Sequence, residues 1–455
     1  MVARIWPMRA ARATRAGVSR AGQAGVCLVP GRGISVMASV QESGADGPVG
    51  VRELAPPLYA LLYAPQGLAQ GFVTVTLGYL LARNGVSVAA IGTVVGLFLL
   101  PQTWKFVAGP VIDASLSPRI WCAICLAVGS ALLAGFAVAP LTSANVPGLS
   151  LAGVVMGAAF TMASSAVTAA MARTTPPEQR GAVSGWQQCG NLGGIGLGGG
   201  LGLWIAEHAG GQAPAALTLA TICAACFLPF LMLAPPPRTI GVALGARLVD
   251  LTRAIWELAR TRAGVLIALI MLMPASLGAA TGLLSAVAGD WHASADLVAL
   301  MLGAASGVAN LPGCLLGGYL CDRFPRRPVY VLAALGCALG EAAMAWGPHT
   351  PAAFAVFVLL NAVLLGVAWA ALSAVLFEKL TGRGAATVSS VMSSLCNLPV
   401  SVVTVIIGGV QTRQGSTAML LTEAGIAVAG VAVYVAIASL WRPARRADVE
   451  AAAAA

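Results

Sequence analysis

Apolar residues in this chain gather into twelve long runs, at 57–82, 87–112, 119–139, 147–172, 181–206, 213–233, 263–288, 296–320, 328–346, 352–377, 384–409 and 417–440. A helix needs at least about 18 predominantly apolar residues to cross the hydrocarbon layer, and each run is long enough. The pattern predicts an all-α membrane protein of twelve transmembrane helices. A polar stretch at 234–262 divides them into two six-helix bundles, 55–233 and 263–441, flanked by tails at 1–54 and 442–455. Within that stretch Leu248, Leu251, Ile255 and Leu258 recur at helical spacing among Arg238, Arg247, Arg253, Arg260 and Arg262. This predicts an amphipathic helix on the inner membrane surface.

The bundles repeat one another at ordered points. Gly109-x-x-x-Asp113 after the second run answers Gly318-x-x-x-Asp322 after the eighth, and Arg180-Gly181 leading to Asn191-Leu192 answers Arg383-Gly384 leading to Asn397-Leu398. Two similar halves facing a shared cavity are the physical basis of alternating access. At the repeated loops, glycine permits a tight turn, while Asp and Arg can form charge-assisted hydrogen bonds between helix ends. Gly109, Asp113, Gly318, Asp322, Arg323, Arg326 and Arg327 are therefore the candidate gate-loop residues.

Composition agrees with the pattern: 58% of residues are apolar and only 9% charged, which excludes a soluble globular domain. The net charge of +10 could suggest a nucleic-acid partner, but its distribution decides otherwise. With both termini cytoplasmic, 23 of the 26 Arg and Lys fall in cytoplasmic segments, leaving Arg83 and Arg413 outside and Lys105 within the second run. That asymmetry is the positive-inside rule, and it places a multi-pass chain in a cytoplasmic (inner) membrane. The tail carries Arg4, Arg9, Arg12, Arg15, Arg20 and Arg32 before its first acid, Glu42. Three readings stand for it: a disordered tail, an extension ahead of a start at Met37, or a transit peptide to an organellar membrane.

The polar residues inside the runs sketch a cavity. Gln66 and Gln70 are one turn apart, as are Gln187 and Asn191, and Asn310, Asn361 and Asn397 lie in runs eight, ten and eleven. Unpaired amides are costly in hydrocarbon, so they should face the bundle interior, either lining a pathway or bonding helix to helix. Lys105 either snorkels inward or attracts an anionic group. Glu341 lies about 20 Å from the inner end of its helix, too deep to reach the cytoplasm. It is expected to be paired, protonated or near the outer headgroups, and is the candidate for proton coupling. Glu423 is expected to snorkel outward. Gly190, Gly194, Gly198 and Gly202 form a smooth stripe expected to slide against the eighth helix, where Gly303 with Gly307 and Gly313 with Gly317 offer matching spacings.

The ten cysteines include Cys122-x-x-Cys125 and Cys223-x-x-Cys226, but both pairs lie in apolar runs without further ligands nearby. They read as packing residues, and no metal and no cofactor are expected. His208, His292 and His349 fall in outward loops. No nucleophile gathers with a base inside the membrane, so no enzyme is expected.

The run Gly318-Tyr319-Leu320-Cys321-Asp322-Arg323-Phe324-Pro325-Arg326-Arg327 resembles the loop signature of the major facilitator superfamily, and the resemblance extends from about residue 55 to 442. The first copy departs from it, with Ala114 after Asp113. Gly85-Val-Ser-Val-Ala-Ala-Ile-Gly92 and Pro101-Gln-Thr-Trp-Lys-Phe-Val-Ala-Gly-Pro-Val-Ile-Asp113 resemble the branch holding muropeptide permeases, certain siderophore permeases and acetyl-CoA transporters. The resemblance implies helices 1, 5, 8, 10 and 11 around the pathway. Together these readings point to proton-coupled secondary transport, by a monomer in the lipid bilayer, of a medium-sized polar organic solute such as an anhydromuropeptide. A siderophore or drug permease is the alternative within the superfamily. A non-transporting membrane sensor or scaffold is the alternative of another class.

Overall fold

The computed structural model describes residues 54–232, 252, 256, 260–273, 278–378 and 385–440. The Arg-rich tail, most of the expected amphipathic helix, Arg383-Gly384 and the C-terminal tail lie outside the described residues.

Twelve membrane segments follow one another, and all twelve apolar runs fall on them. α1 passes from Pro56–Gly71 through a π turn, Phe72–Leu77, into Gly78–Arg83. α2 comprises Val88–Thr103 and Lys105–Ala114, and α3 is Pro118–Gly135. α4 is Val146–Thr174. α5 joins Arg180–Gln188 to Gly194–His208 through a π turn, Cys189–Gly193, and α6 is Gln212–Ala225. α7 begins as Arg262–Leu272, breaks, and resumes in short turns from Ala280 to Trp291. α8 joins Ala295–Leu300 to Ser306–Arg323 through a π turn, Met301–Ala305. α9 is Arg326–Trp346 and α10 is Pro351–Leu376. The last stretch, Ala385–Leu440, turns at Gly415 (φ 83°) and so divides into α11 before it and α12 after it. Gly415 has the positive φ that a Cβ would oppose.

Among the described residues seven helices are singly long and apolar enough to cross a bilayer, and the bent pair of α2 makes an eighth span. α1, α5 and α7 are cut into shorter pieces, and α11 with α12 counts as one long helix. The polar punctuation between runs supplies the helix starts. Ser87, Ser117, Thr261, Ser294 and Thr350 each accept a hydrogen bond from the backbone N–H three residues on. Proline stands in the first turn of α1, α3, α4 and α10, where its missing N–H costs nothing.

α2 bends by 48° at Trp104. Pro101 cannot donate back to residue 97, and the helix gives way three residues later. Phe106 N–H meets Ser394 Oγ of α11 at 3.0 Å, so the other half receives this amide beside the break.

Backbone contact between helices departs from expectation. The stripe Gly190, Gly194, Gly198, Gly202 packs on α1, not on α8: a Cβ at Gly194 would meet Ala64 O at 2.9 Å, and one at Gly202 would meet Thr76 Oγ1 at 2.5 Å. Of the glycines between the stripe positions, Gly193, Gly196 and Gly200 face α8, whereas Gly199 faces α1. A Cβ at Gly185 would meet Cys314 O at 2.7 Å, and one at Gly196 would fall on Gly307 Cα. Positions four apart mark only one face of a helix with 3.6 residues per turn, and α5 has two glycine faces because it is wedged between α1 and α8. On α8, Gly307 and Gly318 meet α5, Gly313 and Gly317 meet α10, and Gly303 meets nothing within 4 Å. Gly109 and Gly318 lie inside helices, so Gly318 permits close approach to α5 and makes no turn.

Candidate functional site

A cavity of about 310 Å³ lies between the two halves. Gln66, Gln70, Lys105, Gln187, Asn191 and Asn397 come together on its wall. Asn310 and Asn361, also expected there, do not reach it. Asn310 is buried where α8 meets α10: a Cβ at Gly366 would come within 2.6 Å of Asn310 O. The glycine faces of α8 draw that helix into contact with both neighbours and leave no open side toward the cavity. Asn361 lines a separate, much smaller void in the C-terminal half.

Gln102 Nε2 donates to Gln70 Oε1 at 3.2 Å, and Gln188 Nε2 of α5 donates to Ser373 Oγ of α10 at 2.6 Å, joining the halves. Asn191 Nδ2 donates to Gln188 Oε1 at 3.4 Å. The buried wall atoms left without a protein partner are the acceptors Gln66 Oε1, Gln187 Oε1 and Asn191 Oδ1 and the hydroxyls of Thr161 and Thr281. Buried carbonyl oxygens in this position call for donors from a bound molecule or water.

Lys105 is the only cation on the wall among the described residues, and no carboxylate accompanies it. It starts the second piece of α2, so the bend at Trp104 aims it inward. Its Nζ donates to Tyr63 OH at 3.3 Å and lies 5.9 Å from the centre of the Tyr63 ring. An ammonium group has three donors, and this leaves two for an anion.

Sequence reasoning missed several wall residues: Tyr63, Gln102, Gln188, Trp369 and the hydroxyls of Ser164, Thr168, Ser373 and Ser393. Gln102, beside Pro101 and one turn from Lys105, and Gln188, doubling Gln187, carried a usable signal. The hydroxyls did not, because Ser and Thr inside membrane helices commonly bond their own backbone, as Thr168 does to Ser164 O.

The second arrangement closes the end of the bundle that carries the Arg-rich loops. Asp322, at the end of α8, accepts Gly181 N–H at Oδ1 and Ala182 N–H at Oδ2, each at 2.8 Å. These are the first free amides of α5, so the carboxylate caps a helix of the opposite half. Arg326 donates to Pro177 O at 2.7 Å, and Arg180 donates to Phe377 O at 2.7 Å, both across the halves. Arg327 pairs with Glu378 inside the C-terminal half at 3.1 Å, and Arg323 stacks over Tyr319 at 4.8 Å. Gly181 is required here, since a Cβ on it would strike Asp322 and lie 2.6 Å from Gly318 O. The Asp113 side chain lies outside the described residues.

Glu341 and Glu423 are both buried in the C-terminal half, and Glu423 does not snorkel outward. Its carboxylate is drawn in by Ala280 N–H at the break in α7, at 2.7 Å. The nine described cysteines are free and buried, and no group of three metal-ligand side chains occurs among the described residues. His349 stacks on Trp291, with ring centres 4.8 Å apart.

Two six-helix halves around a polar central cavity define a membrane transporter. The chain belongs to the major facilitator superfamily, whose family model matches residues 59–404 and again 266–455. It is a multi-pass membrane transporter and not an enzyme. The chain is similar in fold to the proton:xylose symporter XylE bound to 6-bromo-6-deoxy-D-glucose, at TM-score 0.60 and 15% identity over 85% of this chain and 98% of that one. It is similar to the human organic anion transporter MFSD10 (TETRAN), at TM-score 0.63 and 16% identity over 83% of this chain and 98% of that one. The E. coli fucose:proton symporter FucP gives TM-score 0.63 and 14% identity over the same shares, 83% and 98%. No curated protein matches the chain by sequence.

Proposed function

We propose that this chain moves a polar organic solute bearing one negative charge across the cytoplasmic membrane, by rocking its halves about the central cavity. The observation that carries the reading is the wall itself: one ammonium with two donors to spare, beside three acceptor oxygens and two threonine hydroxyls without a protein partner. A solute with hydroxyl or amide N–H groups on one side and a carboxylate on the other satisfies both. Trp369 offers a flat apolar face for a sugar ring. Anhydromuropeptides, the class implied by the resemblance of the Pro101–Asp113 stretch, combine sugar hydroxyls, acetamido groups and carboxylates. At 310 Å³ the cavity has room for about ten waters, the size of one sugar or a dipeptide. A larger glycopeptide therefore needs the halves to part further. A siderophore or drug permease would call for a wall richer in aromatic or apolar surface.

Asp322 and its Arg neighbours serve in this reading as the latch of one end state, with the termini on the latched, cytoplasmic side. The neighbouring solved structures include two proton symporters, which supports protons as the coupling ion. The test is binding and flux in proteoliposomes of the purified chain, with anhydromuropeptides, free sugars, dipeptides and a hydroxamate siderophore offered side by side. Saturable, Lys105-dependent flux of an anionic member supports the reading. Flux of only neutral or cationic solutes, or of none, refutes it, and the last outcome favours a sensor or scaffold.

A further inference from the structure

The C-terminal half holds a second polar site, in a void separate from the cavity. Glu341 of α9 and Glu423 of α12 are 4% and 1% exposed. Glu423 Oε2 accepts Ala280 N–H, whereas its Oε1 is buried without a donor, and so is Oδ1 of Asn361 on α10. Asn361 and Glu341 share a void of about 10 Å³ with Ala280 of α7 and Leu420, one turn before Glu423 on α12. That is about the space of one water molecule.

Groups from three other positions of the bundle face this pair. From α9 it is the buried Cys337, one turn from Glu341. From α7 it is the Ala280 amide, and from α10 Asn361. Among the described residues no cation lines this void, and Asp290 is held by Ser416, about two turns away along α12. Two carboxylates in so dry a place cannot both stay ionised, since each already pays for burial and the two repel. The orphaned atoms, moreover, are both acceptors, so the missing partner is a donor. A proton on either carboxyl supplies an O–H and removes one charge. A metal ion would need several more oxygens and would oppose the Ala280 N–H already directed into the site.

We infer that Glu341 and Glu423 form a one-proton site whose occupancy is linked to the break in α7 through Ala280. The proton arrives from water and returns to it. With Glu423 ionised the Ala280 bond is charge-assisted and holds the outer piece of α7; protonation at Glu423 weakens it. The inference deepens the transport reading by naming where the coupling ion binds, but its test does not use the solute.

The experiment is infrared difference spectroscopy of the full chain in liposomes, following the carbonyl stretch of buried protonated carboxyl groups through a pH titration. One such group should titrate in the wild type. In Glu341→Gln the midpoint should move to about tenfold higher proton concentration or more, because the like charge beside Glu423 is gone. The double variant Glu341→Gln, Glu423→Gln should lose the band. Hydrogen exchange over 278–291 should rise as the group protonates. A band that survives the double variant, a midpoint unmoved by Glu341→Gln, or sodium ions displacing the proton at fixed pH would overturn the site. Flat exchange would overturn the link to α7. Should a Gln variant fail to fold, Glu341→Asp and Glu423→Asp keep the acid and alter its reach, and an unmoved midpoint in both is equally fatal. Loss of solute binding leaves this titration untouched, so the two readings fail separately.

Discussion

Replacing Asp322 by Asn is the sharpest test of the latch, because the two side chains have the same shape. The carboxylate takes two amides of α5 at 2.8 Å. Asn keeps one acceptor and turns an NH2 group toward the other amide, so one bond is lost and a donor faces a donor. A helix cap of this kind contributes about 0.5–2 kcal/mol, and the charge at the helix start about 0.3–1 kcal/mol. Asp322 is solvent-exposed, which screens the charge and favours the low part of both ranges. The sum is about 1–2 kcal/mol, a factor of roughly 5–30 in the ratio of latched to unlatched states. Dyes on Cys introduced at Ile120 of α3 and Leu332 of α9, both exposed, would report the separation of the halves. The nine described native cysteines are buried, and Cys27→Ser removes the tenth. Single-molecule distances should shift toward the open state in Asp322→Asn, and Gly181→Ala should reproduce the shift by steric means. Unchanged populations in both variants would show that this contact does not hold the end state.

Further expectations concern the cavity and the helix contacts. Lys105→Gln should weaken binding of an anionic solute by about 10- to 100-fold, the loss of one charge-assisted bond, while leaving a neutral analogue within about twofold; titration calorimetry on both decides it. Ser394→Ala takes away the acceptor of Phe106 N–H, which should lower thermal stability by about 1 kcal/mol and change the pH dependence of transport little. Gly196→Ala should stop flux while the protein still folds, because its Cβ falls on Gly307 across the halves; Gly198→Ala should instead lower folding yield, because its Cβ falls on Leu68 O inside one half. Equal effects of the two glycine variants on yield would contradict that division.

Much of the architecture was legible because the bilayer is a demanding solvent. Twelve apolar runs had to be helices, and the Ser, Thr and Pro between them had to begin those helices. The wall of the cavity was legible through amides such as Gln66 and Asn191, which hydrocarbon would not tolerate. What remained hidden depends on which face of a helix meets which neighbour. Asn310 and Asn397 look alike as isolated amides, yet only the rotation of α8 and α11 decides which one faces the cavity. The glycines of α5 could be seen as a contact surface, but not assigned to α1 or α8. Glu423 looked like an end-of-helix acid because nothing in its own segment announces the broken α7 and its free amide.

The division of glycines on α5 bears on how the two halves can move at all. Contacts that persist throughout a transport cycle can be tight, and the α1–α5 seam is: any Cβ at Gly190, Gly194 or Gly198 runs into backbone. Contacts that must form and break in each cycle have to be weak, because a deep minimum at one end state would trap the protein there. The described polar contacts between the halves meet this condition. Asp322, Arg326, Arg180, Gln188 and Ser394 each make bonds to a single backbone stretch or hydroxyl. The neutral bonds contribute about 1 kcal/mol net each and those made by an ion about 1.5–3 kcal/mol, and water can take over most of their partners when the halves part. The Gly196–Gly307 approach adds close packing without side chains that would have to be withdrawn. Alternating access requires two states separated by only a few kcal/mol, so that a bound solute or proton can tip the balance. Small residues and exchangeable hydrogen bonds at the seam between α5 and α8 meet that requirement, which is why the latch substitutions should act on rates and populations before they act on folding.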